Sequence, residues 1–179
     1  MMKNEKIIIS GPPGSGKTTI IKKLKLKGYC VHDEIHPQEI NRKATKLELS
    51  NYLFQNRIKQ YHDKSINNYK YNSNKQQNNQ LIFFDRSIID VIAYMDFWEE
   101  KYPIQWEETI LKFRYMNNIF YAPNWKEIYK STEERPEDYM EAEKIDLFLR
   151  KTYLRFNYHI IEIPKLSINQ RVNFILDSI

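Results

Sequence analysis

The 179-residue sequence contains one cysteine, Cys30, and only four glycines. A lone cysteine excludes an internal disulfide framework and suits a reducing cytoplasm. Cys30 lies in a short apolar stretch and reads as a buried structural thiol. No run reaches the roughly 18 apolar residues that a membrane-spanning helix needs. Residues 1–6 are polar and lead straight into a strand signal, with no apolar signal-peptide segment. There is no arginine-rich tract and no nucleic-acid module signature; the net charge of +5 is spread as lysines among glutamates, the pattern of a solvated surface. His32 and His36 lack metal-ligand spacing with other Cys or His residues and read as structural or surface groups. With 41% hydrophobic and 28% charged residues, the chain is expected to be a soluble cytoplasmic protein. It is long enough to bury its own core.

Short apolar runs alternate with longer amphipathic stretches, which predicts βαβ units and a parallel sheet. Strands are expected at 6–10, 29–32, 81–84, 118–121 and 159–163. The helix after Gly16 turns Ile20, Ile21 and Leu24 inward and stops at Gly28. Over residues 37–71, Ile40, Ala44, Leu47, Phe54, Ile58 and Tyr61 recur at helical spacing. The polar residues 72–79 read as a solvated loop. Ser87, with Asp90 three residues on, caps a helix whose inner stripe is Ile88, Val91, Ile92, Met95 and Trp98. Another helix is expected over 105–116. Pro136 is expected to start one that faces Ile145, Phe148, Leu149, Thr152 and Phe156 inward. Val172, Ile175, Leu176 and Ile179 mark a closing amphipathic helix. The expected architecture is one three-layer α/β domain over 1–179, with a five-stranded parallel sheet.

The run Gly11-Pro12-Pro13-Gly14-Ser15-Gly16-Lys17-Thr18 matches GxxxxGK[ST] in full and lies between a predicted strand and a predicted helix. Its glycines let the backbone curl so that several N–H groups share one cavity, and the helix dipole adds its positive end there. The segment from Gly11 to Thr19 is expected to hold a purine nucleoside triphosphate. Lys17 would reach the β- and γ-phosphates and the Thr18 hydroxyl would ligate Mg²⁺; the Lys17 side chain itself is expected to project into solvent-filled space. Asp85 ends a strand on the side where a parallel sheet opens its ligand crevice, so it can hold Mg²⁺ directly or through water. Arg86 beside it can contact a phosphate or the acceptor. Asp33 and Glu34 leave the second strand in the same direction, and a carboxylate there could take a proton from an acceptor hydroxyl. The irregular segment 123–135 carries Lys126, Lys130 and Arg135 among acids. It could close over developing phosphate charge or remain a solvated loop. Trp125 and Tyr129 read as packing residues.

The phosphate loop, Asp33-Glu34, Phe84-Asp85-Arg86-Ser87 and Glu134-Arg135 together resemble the small-molecule branch of P-loop kinases. Thymidylate and deoxynucleoside kinases belong to that branch, and their third strand ends in a comparable acid-Arg-Ser or Asp-Arg signature. Over nearly its full length the chain is similar to bacterial "AAA domain" ATP-binding proteins of the nicotinamide-riboside-kinase-like type. The matching residues are the phosphate loop, Glu34, Phe83-Phe84-Asp85-Arg86, the Trp125-to-Tyr129 segment and Arg135. The resemblance implies a kinase-type strand order, a lid over the phosphates and Glu34 as the acceptor-side base. No arginine finger or second domain of ring-forming AAA+ machines is recognised.

Three readings follow: an ATP- and Mg²⁺-dependent kinase of a small acceptor such as a nucleoside or nucleotide, an NTPase switch, or a polynucleotide 5′-kinase. The acceptor pocket would lie under 37–71. No guanine-reading Asn-Lys-x-Asp motif occurs, which favours ATP. A homodimer stays open. Lys17→Ala is expected to remove nucleotide binding or turnover while the fold survives; calorimetry finding unchanged Mg–ATP affinity, with unchanged activity, would end the phosphate-loop assignment.

Overall fold

β-Branched and aromatic residues dominate the segments that become strands, and their side chains alternate between two buried layers, as period-two geometry requires. The computed structural model describes residues 5–37, 43–63, 81–130 and 138–179. In chain order these form β1 (Glu5–Ser10), α1 (Lys17–Leu26), β2 (Cys30–His32), α2 (Lys46–His62), β3 (Leu81–Asp85) and α3 (Ile88–Phe97). Then follow α4 (Gln105–Lys112), β4 (Asn118–Tyr121), a 3-10 turn at Lys126–Ile128, α5 (Tyr139–Arg155), β5 (His159–Glu162) and α6 (Ile168–Asp177). The five strands form one sheet in the order β2-β3-β1-β4-β5, with every pairing parallel. Ile7, Ile9, Phe83 and Phe120 meet Ile20, Ile21 and Leu24 of α1 and Val172 and Ile175 of α6 on one face. Ile8, Ile82, Phe84, Ile119 and Tyr121 meet residues of α2 through α5 on the other. Central β1 has apolar partners on both faces: Ile7, Ile8 and Ile9 are wholly buried, each contributing about 1.5–3 kcal/mol relative to exposure. Among the described residues no helix is long and apolar enough to cross a membrane.

The strand expectations hold to within a residue. The helices depart more, for local reasons. α2 starts at Lys46, where Thr45 and Glu48 form a reciprocal capping box. Ala44 therefore precedes the helix, Leu47 is exposed, and Ile40 and Tyr71 lie outside the described residues, as do residues 72–79, where a loop is expected. α4 ends at Lys112 rather than 116, because the Met116 N–H turns to donate to the Lys6 carbonyl (2.8 Å) and leads the chain into β4. α5 is capped by Asp138, whose side chain accepts from the Glu141 N–H (2.7 Å); Pro136 lies outside the described residues. Ile179 is exposed instead of closing the core.

All the strands point their carboxyl ends the same way, so the loop after β1, the end of β2 and the end of β3 converge. One buried carboxylate ties them together. Asp90, on the first turn of α3, is wholly buried. It accepts from Ser10 Oγ at the end of β1 (2.6 Å) and from the Ser87 backbone N–H (2.8 Å). It also accepts from the Tyr153 hydroxyl of α5 and from Arg86 Nη1 (3.4 Å). Burial alone would favour the protonated acid, but the charges of Arg86 and Arg57 and these hydrogen bonds hold its pKa below the usual carboxylate value. Asp90→Ala is expected to lower unfolding free energy by about 3–5 kcal/mol, because it strips the buried Ser10, Ser87 and Tyr153 donors of their acceptor and leaves Arg86 with one of its two carboxylates. Urea denaturation measures this; a loss under about 1 kcal/mol, the size of a single neutral hydrogen bond, would show that these donors find other acceptors.

Candidate active site

The phosphate loop runs from the end of β1 into α1. Gly16, the N-cap of α1, has φ 85°, and no side chain caps the helix; its first turn carries no acidic residue. The amides that open α1 are therefore offered to an anion rather than to the protein. Gly11, at φ 146°, comes so close to the Ala122 backbone carbonyl that a Cβ would overlap it. Lys17 differs from expectation. It is buried rather than projecting into solvent, and its ammonium donates to the Pro12 carbonyl (2.7 Å) and Ser15 Oγ (3.3 Å). A cation folded onto its own loop satisfies its donors locally. Burial, with the charge of Arg86 second, lowers its pKa to about 7 against the pull of Glu34, Asp85 and Asp90.

Asp85 and Arg86 sit where β3 gives way to α3. Arg86 adopts φ 72°, an unusual left-handed conformation for a residue with a side chain. Its N–H donates to the Ile9 carbonyl (3.0 Å). The turn sends its guanidinium back toward the loop, where Nε donates to Glu34 Oε1 (2.7 Å) and Nη1 to the Gly11 carbonyl (3.3 Å). Burial opposes ionisation of Glu34, but the charges of Arg86, Lys17 and Arg57 outweigh it and bring its pKa to about 2. Of the two acids after β2, only Glu34 enters this cluster; Asp33 turns outward to an exposed ion pair with Lys25. Asp85 is buried, and neither carboxylate oxygen has a hydrogen-bond partner. Burial first, then the charge of Glu34, raise its pKa to about 6.

Lys17, Thr18, Thr19, Glu34 and Arg86 border one cavity of about 800 Å³, which continues between α2 and α3 past Leu53, Tyr94 and Trp98. That volume suits a small-molecule site. Thr18 is half-buried and Thr19 exposed. Of the segment 123–135, Trp125, Ile128 and Lys130 border the cavity, while Tyr129 packs over Gly14. Arg135 lies outside the described residues. His32 is buried against the Phe84 ring, as a structural histidine would be.

Sequence reasoning missed two arginines that border the same cavity. Arg57 of α2 is buried and donates to the Ser87 carbonyl (2.7 Å). Arg171 of α6 is buried and donates to the Ser15 carbonyl (3.1 Å). The available signal was their place in inward stripes, Arg57 beside Phe54 and Ile58, and Arg171 beside Ile168, Val172 and Ile175.

Fold and loop define a P-loop α/β protein. Residues 6–171 match the family model described as "AAA domain", and the chain belongs to that family. A cytidylate kinase of Onion yellows phytoplasma (strain OY-M) is 39% identical over 80 residues, 41% of this chain and 33% of that protein, so the match spans a third of the relative's length. Among solved structures, deoxyadenosine kinase from M. mycoides with bound dATP superposes with a TM-score of 0.68 at 16% identity, covering 97% of this chain and 98% of the other. Thymidylate kinase from Ehrlichia chaffeensis gives 0.62 at 12% identity, with 98% of both chains covered. Both share the five-stranded parallel α/β fold.

The lowered pKa of Glu34 makes a stability prediction. Its ion pair stabilises the folded state above about pH 4.5, and that contribution fades as pH falls toward about 2. Wild type should exceed Glu34→Gln in unfolding free energy at neutral pH, with the gap narrowing in acid. Urea denaturation across pH checks this; a gap independent of pH would assign the loss to packing.

Proposed function

We propose that the protein transfers the γ-phosphoryl group of ATP to a small acceptor, a nucleoside or a nucleotide. The observation that carries the reading is the Arg86–Glu34 pair set against the phosphate loop, inside a cavity that extends beyond the loop. A plain phosphate-binding switch has no use for a second chamber lined by Leu53, Tyr94 and Trp98. An apolar, aromatic wall suits a flat ring. The kinase relatives support the same class of reaction.

The chain's groups divide the work. Backbone amides from Gly14 to Thr18 and the start of α1 hold the phosphates, and Lys17 leaves the Pro12 carbonyl for the β- and γ-oxygens. Arg86 carries positive charge toward the transferring group. Glu34, ionised at neutral pH, accepts the acceptor hydroxyl's hydrogen bond and orients its oxygen for in-line attack. The new O–P bond forms as the bond to the departing ADP breaks, and the hydroxyl proton passes late to Glu34. Arg86 makes it a weak base, which suits a loose transition state where positioning and charge dominate. Asp85 and Thr18 fit a magnesium ion that arrives with the triphosphate: both Asp85 oxygens are buried and unpartnered. Among the described residues no cluster of three His, Cys, Asp or Glu could hold a metal by itself. Bound there, Mg²⁺ would supply charge neutralisation at the phosphates. Lys130 at the cavity rim supports reading 123–135, Arg135 included, as a lid, and α2 as the acceptor-side wall.

The test is a mass-spectrometric screen of nucleosides and nucleotides for ATP-dependent phosphorylation, followed by Glu34→Gln. Transfer should fall about 10²–10⁴-fold, the usual worth of a positioned acid–base group. ATP affinity should stay near wild type, and Asp33→Asn should change nothing. Normal ATP hydrolysis in both variants, with no acceptor found, would replace the kinase by a switch.

A further inference from the structure

We propose that Arg171 is a donor-phosphate ligand, a cation delivered by the C-terminal helix to the triphosphate from outside the phosphate-loop motif. The inference rests on the donor-site reading above and adds a residue to it. Arg171 is only 4% exposed, yet among the described residues no carboxylate pairs with it. Its Nη2 donates to a neutral acceptor, the Ser15 carbonyl, at 3.1 Å, and its buried Nε has no partner. Burial lowers its pKa with no acid acting against it. A guanidinium offers five donors in a rigid plane. Burying one against a single carbonyl is unfavourable unless an anion completes the site.

Its position says which anion. An ideal Cβ on Gly16 would lie 2.8 Å from Arg171 Nη1, so the guanidinium rests on the residue that opens α1, where the phosphates of a nucleotide sit. The Trp125 ring lies 5.6 Å from the guanidinium carbon. With Ser15 accepting on one edge and the Trp125 ring beneath it, the head group is held beside the cavity that Lys17 and Thr18 border. The placement follows from packing: Val172 and Ile175 of α6 share the buried layer of Ile20, Ile21 and Leu24 of α1, which docks the first turn of α6 on the loop. Arg57 also has a buried Nε without a partner, but it differs in lying near acids, since its charge acts on Glu34, Asp85 and Asp90. Among the described residues Arg171 is the buried arginine on which no acid acts.

The experiment compares wild type, Arg171→Met and Arg171→Lys by calorimetry with Mg–ATP and with Mg–tripolyphosphate, together with nucleotide-free Tm. Met keeps the stem and removes the charge; Lys keeps the charge and removes the fork. Both ligands should bind Arg171→Met about 10–100-fold more weakly, the range for a charge-assisted contact. Arg171→Lys should recover part of that loss. Nucleotide-free Tm of Arg171→Met should equal or exceed wild type, because an unneutralised buried charge has gone. Wild-type tripolyphosphate affinity in Arg171→Met would overturn the proposal, and a fall for ATP alone would move the residue to the nucleoside end. A nucleotide-free Tm lower by more than about 4 °C would also overturn it, marking a structural brace on Ser15. If wild type binds neither ligand, the donor-site reading itself fails, an outcome distinct from any variant-specific result.

Discussion

Arg86 is held against the phosphate loop by a network whose deepest member is the buried carboxylate of Asp90. Asp90 is fixed by groups from four elements: Ser10 from β1, Ser87 at the head of α3, Arg86 beyond β3 and Tyr153 from α5. A carboxylate buried so deeply is costly unless its lone pairs are filled, and here they are filled by the strand ends that surround the site. The resulting rigidity lets Arg86 stay at φ 72°, a conformation that survives only when its surroundings over-determine it. From there its guanidinium holds Glu34 and touches Gly11, so the acceptor-side acid and the phosphate loop share one anchor.

The parallel sheet was legible because its strands are apolar on both faces; runs such as Ile7-Ile8-Ile9 and Ile82-Phe83-Phe84 admit few other readings. Helix ends were less legible. Thr45 and Glu48 form a capping box that outcompetes the apolar spacing upstream of it, and the turn after Lys112 is set by a bond to Lys6, distant in sequence. The phosphate loop could be located from its spacing alone, whereas the direction of Lys17 could not, since that depends on the Pro12 carbonyl being within reach. Strand direction brings both Asp33 and Glu34 to the crevice, and only the family resemblance singled out Glu34; in the structure it is the reach of Arg86 that separates them. Arg57 and Arg171 were hidden by the habit of reading inward stripes for apolar residues, although a charge in such a stripe signals a buried partner or a buried site.

The site's charges are arranged against their own stability. Lys17 is pushed down to about 7 and Asp85 up to about 6, so each is held near the point where it could lose its charge. A cation pressed on its own loop and an acid with no hydrogen bond are both poor solutions for a folded protein by itself. On the proposed reading both would become good ones, with phosphate oxygens at Lys17 and a hydrated divalent cation at Asp85, because each new neighbour would favour the charged form. The same reasoning covers the proposed role of Arg171, buried with no carboxylate partner among the described residues. Sites built this way forgo some stability of the free protein in exchange for groups that need no rearrangement of solvent once the ligand is seated. Glu34 is the exception, since Arg86 already fixes its charge. On the proposed kinase reading, the acceptor-side group is set in advance while the donor-side groups wait for the nucleotide, and that asymmetry would favour ordered assembly in which donor binding completes the field around the acceptor.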